Sequence, residues 1–289
     1  MNYTMLHGKD KYALLSHEKN VVLAYEGLKK LKDARKIVII AGSNGAFGFN
    51  SRMLSDTLHL PVVNTATHAG IGIRMQFEIY KEFLHKGDVV ILCPEYKNVG
   101  EGKQRMYGDA TLLRVLSTHL PSAYTKISFC QWLSVYKYIG VYYAERKEHA
   151  GITEFDGPYS ASAINEYGDI DCKRLHQDTI KQHNIDGRVN EDLLCYLKYI
   201  HSYAREKGIS LCFFPPTLMK STLERNQKQI DSIYHSLIQN GIAFQATPLS
   251  YSFADSFYFD SPYHLTQSGA NLRTREILKD LHRILNVRE

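Results

Sequence analysis

The most informative stretch of the chain reads Ile37-Val38-Ile39-Ile40-Ala41-Gly42-Ser43-Asn44-Gly45-Ala46-Phe47-Gly48. Its first four residues are β-branched and apolar, which predicts a short buried strand. The Gly-Ser-Asn-Gly that follows predicts a sharp turn out of the sheet. In an open α/β sheet, ligands bind beyond the carboxyl ends of the strands. Ser43 is therefore placed as a nucleophile would be.

Three functional motifs and one structural explanation compete for this turn. A dinucleotide-binding Gly-x-Gly-x-x-Gly is incomplete because Asn44 takes the place of the middle glycine, and a P-loop fails because the loop has no lysine. The Gly-x-Ser-x-Gly nucleophile elbow has its first glycine replaced by Ala41. A serine that only caps the following helix explains the same residues. The turn alone does not decide between nucleophile and cap.

Composition favours a single domain over residues 1–289. A chain of 289 residues with 44% hydrophobic content can bury a full core. The formal charge of +5 is mild and the basic residues do not cluster, so no nucleic-acid partner is expected. The cysteines are odd in number and lack metal-ligand spacing, which predicts reduced thiols and no metal site. They are Cys93, Cys130, Cys172, Cys195 and Cys212.

The first 36 residues do not resemble a signal peptide. Met1 to Lys36 is polar and charged throughout, which predicts a cytoplasmic protein. A chain from which an export signal or membrane anchor had been removed would look the same. In that case the protein would be periplasmic or otherwise extracytoplasmic.

Short apolar runs followed by turn residues predict five strands. The runs are 37–40, 61–66, 88–93, 209–214 and 242–245. Strands that alternate with helices predict an α/β fold with a doubly wound, mainly parallel five-stranded sheet, in flavodoxin-like order with helices on both faces. Such a sheet brings the loops after its strands to one edge. We therefore expect five parts of the chain to meet there: Ser43, Gly70, Glu95, Pro215 and residues 260–264.

Between residues 97 and 188 the alternation breaks down, which predicts a helical and loop insertion within the domain. Residues 127–143 are dense in aromatic side chains, yet Gln131 and Lys137 interrupt the run and it is too short to cross a membrane. A helix covering the core explains this run, as does a cover over the functional site or a surface facing lipid or a partner. Residues 151–171 are rich in Gly, Ser, Asn and Asp and predict a long loop.

A catalytic serine needs a base within hydrogen-bond reach, and the base needs a carboxylate to orient it. This chain has Ser43 early and both Asp260 and His264 just before a predicted C-terminal helix. In Gly42-Ser43-Asn44, Asn64 to Gly70 and Asp260 to His264, it resembles the SGNH (GDSL-like) hydrolase superfamily. The matching segments are scattered from Ile37 to about Arg275, and residues 97–188 are not covered.

The resemblance implies roles for individual residues. Ser43 would be the nucleophile, His264 the general base and Asp260 the carboxylate that orients the base. The backbone N–H groups of Ser43 and Gly70 would form the oxyanion hole. No metal or organic cofactor is implied.

Two features depart from the family pattern. Asp260 precedes His264 by four residues rather than three, so Asp255 is a second candidate for the orienting carboxylate. The third family block normally supplies an asparagine to the oxyanion hole, whereas this chain has Pro94-Glu95-Tyr96. An acidic side chain opposes a developing oxyanion, and the Asn44 amide is a candidate replacement. Candidates for substrate contact are Glu95, Tyr96 and His68.

Three motifs are similar to those of a branch of this superfamily that is associated with bacterial surface polysaccharides. They are Gly-Ser-Asn-x-Ala-Phe-Gly, Pro-Glu-Tyr and Tyr-His-Leu-Thr. Members of this branch work beside membrane-bound O-acyltransferases. The resemblance implies an esterase or O-acyltransferase, for acetyl groups first, acting on a polysaccharide or other carbohydrate. The alternative is a catalytically weak module that binds glycan or supports an acyltransferase complex. Nucleotide binding at residues 42–48 is a third hypothesis, weakened by the incomplete fingerprint.

Overall fold

The computed structural model describes residues 11–96, 99, 106–117 and 121–285. Its centre is a parallel four-stranded sheet in the spatial order β2-β1-β3-β4. The strands are β1 (Ile37–Ala41), β2 (Val62–Asn64), β3 (Val89–Cys93) and β4 (Ser210–Phe213). A separate parallel pair joins β5 (Leu218–Met219) to β6 (Ser252–Phe253). The predicted α/β class is confirmed.

The helices of the described residues lie between and after these strands. They are α1 (Tyr12–Leu15), α2 (Asn20–Lys30), α3 (Ser43–Ala46), α4 (Ser51–Leu58), α5 (Ile73–Tyr80), α6 (Ala110–Ser117), α7 (Pro121–Lys126), α8 (Phe129–Tyr136), α9 (Ile139–Glu148), α10 (Glu191–Lys207), α11 (Lys220–Arg225), α12 (Gln227–Gln239) and α13 (Gln267–Leu285). None of them is both long and apolar enough to cross a membrane.

Among the described residues the sheet has four strands, where the sequence predicted five. In place of a strand at 242–245, Phe244 makes a single parallel bridge to Phe213, and the N–H of Gln245 donates to the Phe213 carbonyl at 2.9 Å. The two rings contact each other at 4.4 Å between centroids. The chain then bends and enters a 3-10 turn at Pro248–Tyr251.

Both faces of the sheet are covered, because alternate residues of a strand point to opposite sides. Val38 and Ile40 of β1 belong to one core cluster, which includes buried residues of α2, α5, α10 and α12. Ile37 and Ile39 belong to a second cluster, built with residues of α4 and α13. The strands read as continuous apolar runs because neither face meets water.

Strand register determines which loops lie side by side at the carboxyl ends of the strands. Ile37 pairs with Val89 and Ala41 pairs with Cys93, so β1 and β3 end level with each other. Ile39 pairs with Asn64, the last residue of β2. The turn at Ser43, the loop after β2 and the residues after β3 therefore leave the sheet side by side.

The described residues of the region predicted as an insertion include four helices, α6 to α9. Residues 127–143 form α8 and α9, in which Gln131 and Tyr142 are fully buried while Phe129 and Tyr136 are exposed. From 149 to 190 the described chain has no α-helix or strand, only isolated bridges and one 3-10 turn at Ala161–Ala163. This segment includes the predicted long loop at 151–171.

Candidate functional site

Ser43 is held at the start of the short helix α3, immediately after β1. Its side-chain hydroxyl donates to Glu95 Oε1 at 3.0 Å, and the backbone N–H of Asn44 donates to the same oxygen at 3.1 Å. Glu95 is only 5% exposed. A Cβ on Gly42 would lie 2.8 Å from that oxygen and 3.0 Å from the Cα of Ala69, so only glycine fits there without a shift. The carboxyl group of Glu95 thus caps the serine turn.

The Asn44 side chain is engaged in fixing this turn. Its amide Nδ2 donates to the Cys93 carbonyl at 3.1 Å, across to the end of β3. Arg273 Nη1 of α13 donates to the Asn44 backbone carbonyl at 2.7 Å, and Nη2 donates to the Asn44 side-chain oxygen at 3.3 Å. Burial lowers the pKa of Arg273. In this arrangement the amide proposed for the oxyanion hole has a backbone partner.

The loop after β2 has its own internal hydrogen bonds. The N–H of Gly70, expected to bind an oxyanion, donates to Nδ1 of His68 at 2.9 Å. The N–H of Asp109 donates to the Gly70 carbonyl at 2.8 Å. A Cβ at Gly70 would lie 2.5 Å and 2.7 Å from the two carboxyl oxygens of Asp109. The Ser43 hydroxyl, the Asn44 N–H and the Gly70 N–H therefore all donate to protein acceptors.

Asp260 and His264 lie together in a tight loop before α13. His264 Nδ1 is 2.9 Å from Asp260 Oδ1. The N–H of His264 donates to the Ser261 carbonyl, and the N–H of Phe259 donates to the His264 carbonyl at 2.8 Å. An antiparallel bridge between Tyr258 and Leu265 closes the loop. The four-residue spacing is therefore compatible with direct contact, whereas Asp255 accepts instead from the N–H of Ser221 at 3.1 Å.

Tyr159 completes this pair and was missed at the sequence level. Its hydroxyl donates to Asp260 Oδ2 at 2.6 Å and lies 3.1 Å from His264 Nδ1. Burial and the adjacent Asp260 raise the pKa of Tyr159, so the phenol stays protonated. Burial by itself raises the pKa of Asp260, but the hydrogen bonds from His264 and Tyr159 outweigh it and the pKa is lowered. No sequence signal distinguishes Tyr159 from the other tyrosines.

Phe47 connects the serine turn to the histidine loop. It follows α3 directly, four residues after Ser43, and its ring stacks on His264 with 4.4 Å between centroids and 16° between planes. The same ring lies 5.2 Å from that of Tyr159. Ser43 makes no hydrogen bond to His264 within the described residues, because its hydroxyl points to Glu95. The predicted triad members thus share one neighbourhood, with the serine turned toward a different carboxyl group.

A buried segment before α2, which contains His17 and Glu18, packs against Tyr159 beside the histidine loop. The N–H of His17 donates to the Tyr159 carbonyl at 2.7 Å, and the His17 ring lies 5.4 Å from the Tyr159 ring. Burial lowers the pKa of His17; Glu18 opposes this shift, while His68 and His264 add to it. Burial raises the pKa of Glu18, but His17 and Arg114 lower it to about 2. The sequence had no recognisable signal for this segment.

The remaining candidates occupy different places. Tyr96 is only 2% exposed and belongs to the core cluster around α2 and α10, whereas His68 is half-buried beside the ring of His17 at 6.2 Å. Burial raises the pKa of Tyr96. No group of three or more His, Cys, Asp or Glu side chains within the described ranges is arranged to hold a metal ion.

No protein-family model matches the chain, and no curated protein matches it. The functional argument therefore depends on the geometry of the site and on the residues that build it.

Proposed function

We propose that this chain is a serine-dependent acyl-ester hydrolase or O-acyltransferase with Ser43, His264 and Asp260 as its triad. The observation that carries the proposal is the Asp260–His264 pair, stacked against Phe47 four residues after Ser43. A carboxylate paired with one imidazole nitrogen, beside a serine at a strand end, is the arrangement that serine acyl transfer requires. The order of these residues, and their resemblance to SGNH hydrolases, support the same chemistry.

The reaction begins when the Ser43 hydroxyl rotates from Glu95 toward His264. His264 Nε2 takes the hydroxyl proton while Ser43 Oγ attacks the ester carbonyl carbon. Collapse of the tetrahedral intermediate breaks the bond to the leaving alcohol, which receives the proton from His264. Attack by water then gives hydrolysis, and attack by a second alcohol gives acyl transfer. Asp260 stabilises the imidazolium formed in each half-reaction.

The oxyanion in this proposal accepts from the backbone N–H groups of Ser43 and Gly70, and at Gly70 it replaces a protein acceptor. The N–H of Gly70 now donates to Nδ1 of His68 at 2.9 Å. A developing oxyanion is a stronger acceptor than an ester carbonyl and competes better for such donors. Displacement would therefore favour the transition state over the ground state.

The substrate class follows from the resemblance and is part of the proposal. An O-acyl group, acetyl first, on a bacterial polysaccharide or other carbohydrate fits the branch that the sequence resembles. A membrane-bound O-acyltransferase is the proposed partner. The proposed fold type is that of SGNH hydrolases, with the strands in flavodoxin-like order.

One observation favours a second function. The Ser43 hydroxyl and the two neighbouring N–H groups are all bonded to protein acceptors, as they would be in a module that no longer catalyses. Such a module would bind glycan or support an acyltransferase complex. It would keep the fold and the dyad without an activated serine.

A fluorophosphonate separates the two functions. Intact mass is measured for wild type, Ser43→Ala and His264→Ala after incubation with the probe, together with turnover of an aryl acetate. Ser55→Ala and His235→Ala, at a helical serine and an exposed histidine away from the site, are the matched controls. We expect one adduct on wild type and both controls, none on Ser43→Ala, and labelling slowed at least 100-fold in His264→Ala. An unlabelled, inactive wild type would contradict the enzymatic proposal and support the second function.

A further inference from the structure

We infer that Tyr159 is a positioning residue that holds the Asp260–His264 pair in its reactive tautomer. The inference rests on the proposed function for its kinetic consequences, while its structural content concerns one proton. Tyr159 lies 101 residues before Asp260 in a segment without regular structure, yet its hydroxyl contacts both members of the pair. It touches them rather than the reacting atoms.

Proton counting leaves one arrangement for these three groups. The lowered pKa of Asp260 keeps it a carboxylate, which only accepts hydrogen bonds. The phenol has a single proton, and the 2.6 Å distance assigns it to Asp260 Oδ2. His264 Nδ1 therefore carries a proton, because an unprotonated Nδ1 would place its lone pair against Asp260 Oδ1 at 2.9 Å. The lone pair of His264 is then on Nε2, where a serine proton can be taken.

Without Tyr159, the carboxylate would have one fixed oxygen and one free to move. His264 holds Oδ1 and the phenol holds Oδ2, so both oxygens are fixed and rotation of the carboxyl group is blocked. The phenol oxygen, 3.1 Å from Nδ1, is a second acceptor for the Nδ1 proton. The imidazole is thereby oriented from two directions.

Tyr159 is itself held through its ring and its backbone. Its ring contacts the rings of Phe47 and His17, at 5.2 Å and 5.4 Å between centroids. Its carbonyl accepts from the N–H of His17, and the next residue, Ser160, forms an antiparallel bridge with Ser16. A phenol fixed in this way retains its position without induced fit.

Removing the phenol hydroxyl, as in Tyr159→Phe, changes the charge distribution between Asp260 and His264. A donor on Oδ2 draws negative charge away from Oδ1, so its loss makes the carboxylate a stronger partner for the imidazolium. The lost donor on Oδ2 outweighs the lost acceptor for the Nδ1 proton, because the phenol is 2.6 Å from Oδ2 but 3.1 Å from Nδ1. The acidic limb of the pH–rate profile then moves to higher pH. Loss of orientation lowers kcat, whereas KM is unaffected because Tyr159 does not touch substrate.

The test compares Tyr159→Phe with Tyr167→Phe, a tyrosine of the same segment whose hydrogen bonds to Asn64 and Asn165 use its backbone. With an aryl acetate, Tyr159→Phe is expected to lower kcat roughly tenfold, as for a lost hydrogen bond to a charged group, with KM unchanged. The acidic limb should rise by roughly half a pH unit. Tyr167→Phe should match wild type in all three quantities. An unchanged kcat, or a loss of kcat without movement of the limb, overturns the inference.

A second readout does not need turnover. The Nδ1 proton of His264 should give a proton NMR resonance downfield of the amide region, assigned by its disappearance in His264→Ala. We expect Tyr159→Phe to shift this resonance or broaden it by faster exchange, and Tyr167→Phe to leave it in place. A shifted resonance in a protein that fluorophosphonate does not label would sustain the positioning role and reject the esterase. A labelled, active wild type whose resonance is the same in Tyr159→Phe would reject the positioning role alone.

Discussion

The serine turn and the histidine loop of the candidate site are prepared to different degrees. In the serine turn, the Ser43 hydroxyl and the Asn44 N–H both donate to Glu95, and the nearby Gly70 N–H donates to His68. In the histidine loop, Asp260 and Tyr159 fix the Nδ1 side of His264, while its Nε2 has no hydrogen bond to any described residue.

The histidine loop is therefore preorganised for the proposed reaction, whereas the serine turn is not. In the proposed reaction His264 is already in the tautomer that accepts a proton, whereas the Ser43 hydroxyl and the Gly70 N–H must exchange protein acceptors for substrate. Binding that exchanges one acceptor for another costs little in the ground state only if the new acceptor is equally strong. The proposed enzyme therefore discriminates in favour of strongly polarised carbonyl groups, and its rate depends on how readily Glu95 yields.

The largest effect is expected in the histidine loop, from Asp260→Asn. An asparagine amide at this position favours the wrong imidazole tautomer, so kcat on an aryl acetate should fall about 10³–10⁴-fold. The control is Asp255→Asn, in the same segment but bonded to Ser221. Equal effects of the two substitutions would show that Asp260 has no special role in orienting His264.

The support behind the histidine loop is expected to be pH-dependent. The pKa of Glu18 is lowered to about 2 from its ordinary 4.5, so its contribution to stability is complete above pH 4.5 and is lost as pH falls through about 2. Glu18→Gln should reduce the free energy of unfolding by about 3 kcal/mol at pH 7, and by less than about half of that at pH 3.

Urea unfolding of both proteins at the two pH values measures this contribution. Glu166→Gln is the control, because its carboxyl group pairs with Arg52 on the exposed surface, and it should change stability little at either pH. A Glu18→Gln deficit that does not shrink between pH 7 and pH 3 would contradict an ionic origin.

The smallest effect is expected in the serine turn, from Glu95→Gln. The amide keeps an oxygen for the Ser43 and Asn44 donors but removes the charge that opposes an oxyanion. We expect kcat/KM for an aryl acetate to rise about tenfold, equivalent to about 1.4 kcal/mol. A fall of similar size would instead show that the Glu95 carboxylate assists proton removal from Ser43. Steady-state kinetics of wild type and Glu95→Gln decide between these signs.

Much of the central sheet could be predicted from the sequence because its signals are local. The apolar runs at 37–41 and 89–93 form β1 and β3, and the turn at Gly42-Ser43 leaves β1 where expected. The fifth strand was overpredicted because a short apolar run resembles a strand whether or not it finds a continuous partner. Only the fold shows that Phe244 makes one bridge before the chain turns at Pro248.

The sequence by itself determined the elements whose causes lie within a few residues. These include the buried strands, the serine at a strand end, and an aspartate and histidine near enough in the chain to pair. Tertiary structure alone decided what surrounds them: the Tyr159 bond to Asp260 spans 101 residues and the Arg273 bond to Asn44 spans 229. The Ser43–Glu95 contact depends on the level ends of β1 and β3. Local preferences act between chain neighbours, whereas these contacts arise only after strand order and register bring distant loops to one edge.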